Sequence, residues 1–290
     1  MSGVTQSVHQ KLLNIRDKTG EQFNHLLIRY GLERLLYRIV ASENDGMFVL
    51  KGAMLFALWR NVPGRPTRDV DLLGFGELDH ERLKKVFTDA CMAEVVDDGL
   101  RFDPKSIVTD DIRDDQEYHG VRVRLIGYLG NARIALQIDV GFGDAITPAP
   151  TIIDYPTILD FPAPRIRAYH PATVVAEKFN AMIVLGMMNS RLKDFYDVYI
   201  ILQHMGIDDT QLADAIQSTF QRRKTPLPTE LPLVFTDDFI NDGNKETQWK
   251  AFLKRSLLTD CELSFSQIVE SIQQQLWPIV LQLQNKKEQL

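Results

Sequence analysis

"RPTRDVDLLGF" occupies residues 65–75. Its second half is apolar, yet Asp69 and Asp71 sit in the run one residue apart. Burying a carboxylate is expensive unless something compensates it. In a strand, residues i and i+2 leave from the same face. Asp69 and Asp71 therefore share a face, and Val70 points the other way into a core. Two carboxylates this close repel when both are ionised in a dry site. A divalent cation removes that penalty, and Mg²⁺ takes carboxylate and phosphate oxygens together. That is the logic of metal-dependent phosphoryl transfer. The competing reading is a solvated edge strand with two incidental acids, and the apolar surroundings argue against it.

Working outward, "IALQIDVGFG" (134–143) carries a third acid, Asp139, on the polar side of an alternating strand. Asp69, Asp71 and Asp139 would make a metal triad on one small sheet; the alternative for Asp139 is an ordinary exposed strand residue. Asp144 is a weaker candidate, since its context resembles turn chemistry. "LKGAML" (50–55) precedes the acidic pair, with Gly52 where a strand would hand over to a helix. A helix N-terminus binds phosphate, and Gly52 and Ala53 are small enough to let a triphosphate approach. A plain strand–helix junction is the competing reading. Arg65, Thr67 and Arg68 crowd the approach to Asp69, either to contact phosphate or to offset the acids.

The second half carries another signal. Lys178 interrupts an apolar helix among Val174, Val175, Met182, Ile183 and Leu185. It either snorkels to water or offers a point charge to a triphosphate. "RLKDFYD" (191–197) then packs Arg191, Lys193, Asp194 and Asp197 among aromatic residues. Asp194 and Asp197 share a helix face. They are either surface pairs or charges with a job.

The chain has 290 residues, 44% hydrophobic and 25% charged, which is a globular composition of one large or two ordinary domains. Its net charge of -6 argues against a generally basic nucleic-acid-coating surface. The clusters "QRRK" (221–224) and "RIR" (165–167) read as solvated surface. No apolar run is long enough to span a membrane, and the first twenty residues lack a signal-peptide core. Two distant cysteines, Cys91 and Cys261, suggest reduced thiols in a cytoplasmic protein. The histidines lack zinc-ligand spacing, and there is no P-loop, dinucleotide fingerprint or serine elbow. The three tryptophans read as core residues.

Periodicity predicts a helical stretch over 6–40, with Gly31 as a junction or a tolerated small residue. A short strand at 47–52 and a helix at 53–59 burying Leu55, Leu58 and Trp59 follow. A strand at the DVD run and a helix at 80–94 come next. Two alternating strands, 120–129 and 132–143, join through a loop of about five residues. A proline-rich stretch, 148–171, reads as a linker or surface strap. Helices are predicted after Pro171, through 191–204, and over 210–223, 244–257 and 265–286. The fold class is α+β: a small mixed-sheet domain with flanking helices (1–160), then a helical domain (161–290) that completes a cleft.

Taken in order, "LKGAMLFALW", "RPTRDVDLLGFG", "IDVGFGD" and "AEKFNAMIVLGMMNSRLKDFYDVYI" resemble the nucleotidyltransferase AbiEii/AbiGii toxin family, a branch of the DNA polymerase β-like nucleotidyltransferase superfamily. The resemblance spans residues 35–205. It implies a cytoplasmic Mg²⁺-dependent enzyme that transfers a nucleoside monophosphate from an NTP to an acceptor hydroxyl. Some members modify the 3′ end of tRNA and stop translation. Members act as toxins beside an antitoxin, including in phage abortive infection. The resemblance places metal binding on Asp69, Asp71 and Asp139, and nucleotide binding on Gly52, Ala53 and Lys178; Arg68 is taken as the phosphate contact among the residues crowding Asp69. Asp194, in the family's Arg-x-Lys-Asp segment, joins Lys178 in catalysis. Alanine at 53 removes the hydroxyl some relatives carry, and the insert "NVPGRP" lengthens the loop before Asp69. The alternatives are a kinase-like phosphotransferase or a non-catalytic nucleotide-binding interaction protein of the same fold.

Overall fold

A computed structural model describes residues 2–59, 67–76, 79–112, 120–258 and 261–288. Arg65, the insert at 61–66 and His119 lie outside the described residues. The chain divides into two units, each with its own core. One comprises Met1–Leu58, Pro66–Gly143 and Thr151–Ala168; the other comprises Trp59–Arg65, Asp144–Pro150 and Tyr169–Leu290.

The first unit is built on a seven-stranded mixed sheet. Its strands are β1 (Phe48–Lys51), β2 (Asp69–Gly74), β3 (Leu100–Ile112), β4 (Gly120–Leu129), β5 (Ala132–Phe142), β6 (Thr151–Asp154) and β7 (Arg165–Ala168), in the order β3-β4-β5-β2-β1-β7-β6. β2 runs parallel to β5 and antiparallel to β1. The period of two holds. Val121, Val123 and Leu125 on β4 and Ile134, Leu136, Ile138 and Val140 on β5 are buried, while the intervening residues face the other way. The fold class is as the sequence predicts, a mixed-sheet α+β arrangement with helices.

Three helices belong to this unit: α1 (Gly3–Thr19), α2 (Phe23–Ala41) and α3 (His80–Met92). The predicted stretch over 6–40 is two helices. Gly20 ends the first, with φ 73° and its N–H donating to the Arg16 carbonyl at 2.8 Å. Gly31 is not a junction. It lies inside α2, where an added Cβ would sit 3.1 Å from Leu136 of β5. Its smallness lets the helix close on the sheet.

Other expectations need correcting. Residues 53–59 do not form an α-helix; Gly52–Ala57 is a 3₁₀ helix, and Leu58 and Trp59 are only half-buried. Only Gly130 and Asn131 turn the β4–β5 hairpin. The proline-rich stretch supplies β6 and β7, and Ala168 pairs with Leu50 in parallel. The sequence signal missed β3 altogether. Pro104 and a register irregularity between Asp103 and Val108 interrupt its pattern.

The second unit is helical. It contains α4 (Pro171–Leu185), α5 (Leu192–His204), α6 (Asp209–Arg222), α7 (Asp237–Ile240), α8 (Gly243–Arg255) and α9 (Phe265–Glu288). α4 starts at Pro171 as predicted, with the His170 ring accepting from Ala172 N–H. Phe195, Tyr196, Phe239, Trp249 and Phe265 form an aromatic core. Trp249 is a core residue, whereas Trp59 and Trp277 are half-buried. Arg223 of the "QRRK" cluster is not free surface: it is 16% exposed and bonds Asp144 at 3.1 Å. Cys91 and Cys261 are free thiols. Among the described residues, no helix is long and apolar enough to cross a membrane.

Candidate active site

In the first unit, β2 sits between β5 and β1, and its register decides the site. Asp71 stands opposite Asp139 on one side and Lys51 on the other, while Arg122 of β4 stands opposite Asp139. One row across the sheet therefore reads Arg122, Asp139, Asp71, Lys51. Two acids lie side by side with a cation at each end. Asp69, on the same face two residues along β2, stands opposite Gln137. Val70, between the acids, is buried on the far side, as the strand period requires.

Each acid is held differently. The Thr67 hydroxyl donates to Asp69 Oδ1 at 2.6 Å. Asp71 packs onto Gly52, where β1 passes into the 3₁₀ helix. A Cβ on Gly52 would overlap the Asp71 carboxylate and lie 2.8 Å from the Asp71 Cβ. Gly52 also has φ +73°, a left-handed conformation that suits glycine. The sequence and the contact thus demand the same residue for two reasons. Asp139 accepts two bonds from one guanidinium, Arg122 Nε to Oδ1 at 2.8 Å and Nη2 to Oδ2 at 2.7 Å. That bonding raises the Arg122 pKa above its ordinary range, and Asp69 and Asp71 add to the effect through their charge.

The expected residues are brought together unevenly. Asp69, Asp71, Asp139 and Gly52 converge on one face. Ala53 is adjacent but buried. Arg68 is exposed, and its guanidinium lies 2.9 Å from His25 Nε2, on α2. Among the described residues, no three His, Cys, Asp or Glu side chains are grouped to hold a metal ion. Asp139 is turned to Arg122. Asp69 and Asp71 still suit magnesium: they are hard oxygen donors on one strand face.

Arg122 is the residue the sequence reading missed. It read as an outward-facing strand position. The signal was the tight Gly130–Asn131 turn, which sets Arg122 against Asp139.

The second unit holds a separate charged cluster. Lys178, on α4, donates to Asp194 Oδ1 at 2.6 Å and lies 3.0 Å from Asp197 Oδ2, both on α5. Arg191 Nε lies 3.1 Å from Asp194 Oδ2. Asp194 and Asp197 are 3% and 0% exposed, so these are buried ion pairs and not surface pairing. Burial pushes the Asp194 pKa up, but Lys178 and Arg191 outweigh it and hold the carboxyl below its usual range. Lys178 does not simply snorkel; it joins two helices through two acids.

The profile of the nucleotidyl transferase AbiEii toxin, type IV toxin–antitoxin system, matches residues 34–271. The chain belongs to the AbiEii toxin family. The match takes in both the carboxylate row and the Lys178 cluster. JHP933 from Helicobacter pylori is similar in fold, with a TM-score of 0.50 and 14% identity over 89% of this chain and 94% of that one. A candidate nucleotidyltransferase from H. pylori gives a TM-score of 0.51 and 14% identity, covering 90% of this chain and 96% of the other. At such identity the likeness speaks for the fold alone. No curated protein matches the chain.

Proposed function

We propose that this AbiEii-family chain is a Mg²⁺-dependent nucleotidyltransferase. It transfers a nucleoside monophosphate from an NTP to an acceptor hydroxyl, with the 3′ end of tRNA as the acceptor of choice. In the transfer the acceptor oxygen bonds to the α-phosphorus and pyrophosphate leaves. The carrying observation is the register that sets Asp71 beside Asp139, with Asp69 on the same face and Gly52 against Asp71. The family supports the same chemistry, and its toxin–antitoxin setting supports a cognate antitoxin.

Asp69 and Asp71 would hold magnesium, which when bound compensates charge on phosphate oxygens. Asp139 would complete the carboxylate set. Gly52, bare where the Asp71 carboxylate packs on it, would keep that acid in the row that meets metal and phosphate. The six-residue 3₁₀ turn there is short and offers a phosphate little helix dipole. Arg68, exposed beside Asp69, would meet phosphate. The resemblance gives Lys178 to the triphosphate and Asp194 to catalysis with it; their bond at 2.6 Å supports a role for Asp194 in ordering that lysine.

The test incubates the chain with each α-³²P-labelled NTP, Mg²⁺ and total RNA. Labelled RNA is expected from the parent. Asp71→Asn should lower transfer by at least about 10²-fold, in keeping with loss of transition-state charge stabilisation. An Asp71→Asn chain with parental turnover would overturn the assignment.

A further inference from the structure

Asp139 belongs with Asp69 and Asp71 by register, yet both its oxygens accept from Arg122. Gln137 Nε2 adds a long contact, 3.5 Å from Oδ2. The Asp139 side chain is 16% exposed and that of Arg122 is 38% exposed. The arginine is therefore the more accessible of the two to a solute. Arginine matches a phosphate with the same two-pronged geometry that it uses on a carboxylate. A guanidinium and a divalent cation on one carboxylate repel each other. They are competitors for Asp139.

We propose that Arg122 is a positioning residue that alternates between Asp139 and the phosphates of the nucleotide. Without nucleotide it neutralises Asp139 and keeps this acid from the cation. When a polyphosphate takes the guanidinium, Asp139 is released beside Asp71. The proposal rests on the nucleotidyltransfer reading and deepens it. It explains how the acids tolerate one another when no cation is bound: the strand on one side lends Asp139 a counter-ion. It also makes the third carboxylate available only when there is substrate to act on.

The test uses the full chain and two probes, Mn²⁺ without nucleotide and inorganic triphosphate without metal. Arg122→Gln should bind Mn²⁺ more tightly, by about tenfold, the size of one screened charge–charge contact. The same variant should bind triphosphate more weakly. Asp139→Asn frees the guanidinium and should bind triphosphate more tightly than the parent. It should bind Mn²⁺ no more tightly than the parent, since Asp139 is covered there already. A merely structural ion pair would shift the affinities only through long-range charge, which high salt screens away.

Unchanged or weaker Mn²⁺ binding in Arg122→Gln overturns the proposal. So does triphosphate binding in Asp139→Asn that is no tighter than the parent's. If Arg122→Gln does not fold, the Asp139→Asn comparison decides alone. The labelled-NTP assay on the parent separates the two readings. Parental transfer with unshifted affinities removes the exchange and leaves the enzyme. Shifted affinities with no transfer to any RNA keep the exchange and remove the enzyme.

Discussion

At the scale of single residues, Gly52 and Asp71 act as one unit. The backbone at Gly52 is left-handed, and its missing side chain is the space the Asp71 carboxylate occupies. Gly52→Ala must both strain the backbone, at about 1–2 kcal/mol, and push the carboxylate out of its row. Transfer should therefore fall much further than stability. About 10²-fold in kcat/KM is expected, read beside a urea melt of the same variant. An alanine variant with parental kcat/KM would mean that the position of Asp71 is not critical. The acids themselves were legible in the sequence, since two carboxylates in an apolar strand need a reason. Arg122 was not. Its meaning depends on which residue lies across the hairpin, and the loop was read as about five residues where the protein uses two, Gly130 and Asn131.

At the scale of elements, the pairing of α4 with α5 changes how Lys178 should be probed. From sequence, Lys178→Met looks like a clean replacement of a stem by a stem. In the fold it takes from Asp194 and Asp197, both buried, the cation they share, and leaves Asp194 with Arg191. Breaking a buried pair from one side costs about 3–5 kcal/mol. Lys178→Met should lose stability on that scale, and adding Asp194→Asn should recover part of it. A Lys178→Met chain as stable as the parent in urea would show that these pairs contribute nothing. Kinetics on the single variant would then be interpretable directly. The helices were legible because their apolar spacing is local. β3, β6 and β7 were not: proline broke their patterns, and distant partners, not local propensity, make them strands.

At the scale of the whole molecule, two buried acids of the first unit show opposite behaviour for a physical reason. Burial raises the Asp98 pKa, but Arg38 and Arg34 bond it and hold it below its ordinary range. Glu33, 1% exposed, gets one backbone bond from Ile158 at 2.7 Å and only a long ion pair, 3.7 Å, from Arg34 Nη1. Burial pushes its pKa from 4.5 up to about 7. The folded chain thus keeps a proton on Glu33 that the unfolded chain releases. Its contribution is most favourable below pH 4.5, declines as pH rises, and is spent above about 7. The decline should total roughly 3 kcal/mol. Glu33→Gln cannot ionise, so its urea midpoint should drop less than the parent's between pH 5 and pH 8. An identical drop in both proteins would place the pH sensitivity elsewhere.

The route of the chain through the sheet has a consequence for how the protein is made. β1 stands between β2 and β7, and its Leu50 waits for Ala168, about 120 residues later. A ribosome releases the chain from its N-terminus at about 5–20 residues per second. For several seconds the nascent sheet must therefore carry an open parallel edge at β1, beside the strand that bears Asp69 and Asp71. An exposed strand edge is a template for wrong pairing and a mark for chaperones and proteases. A message cut short before residue 165 yields a chain that never closes that edge. For a chain of a toxin family this matters: broken transcripts would yield unfinished chains marked for removal.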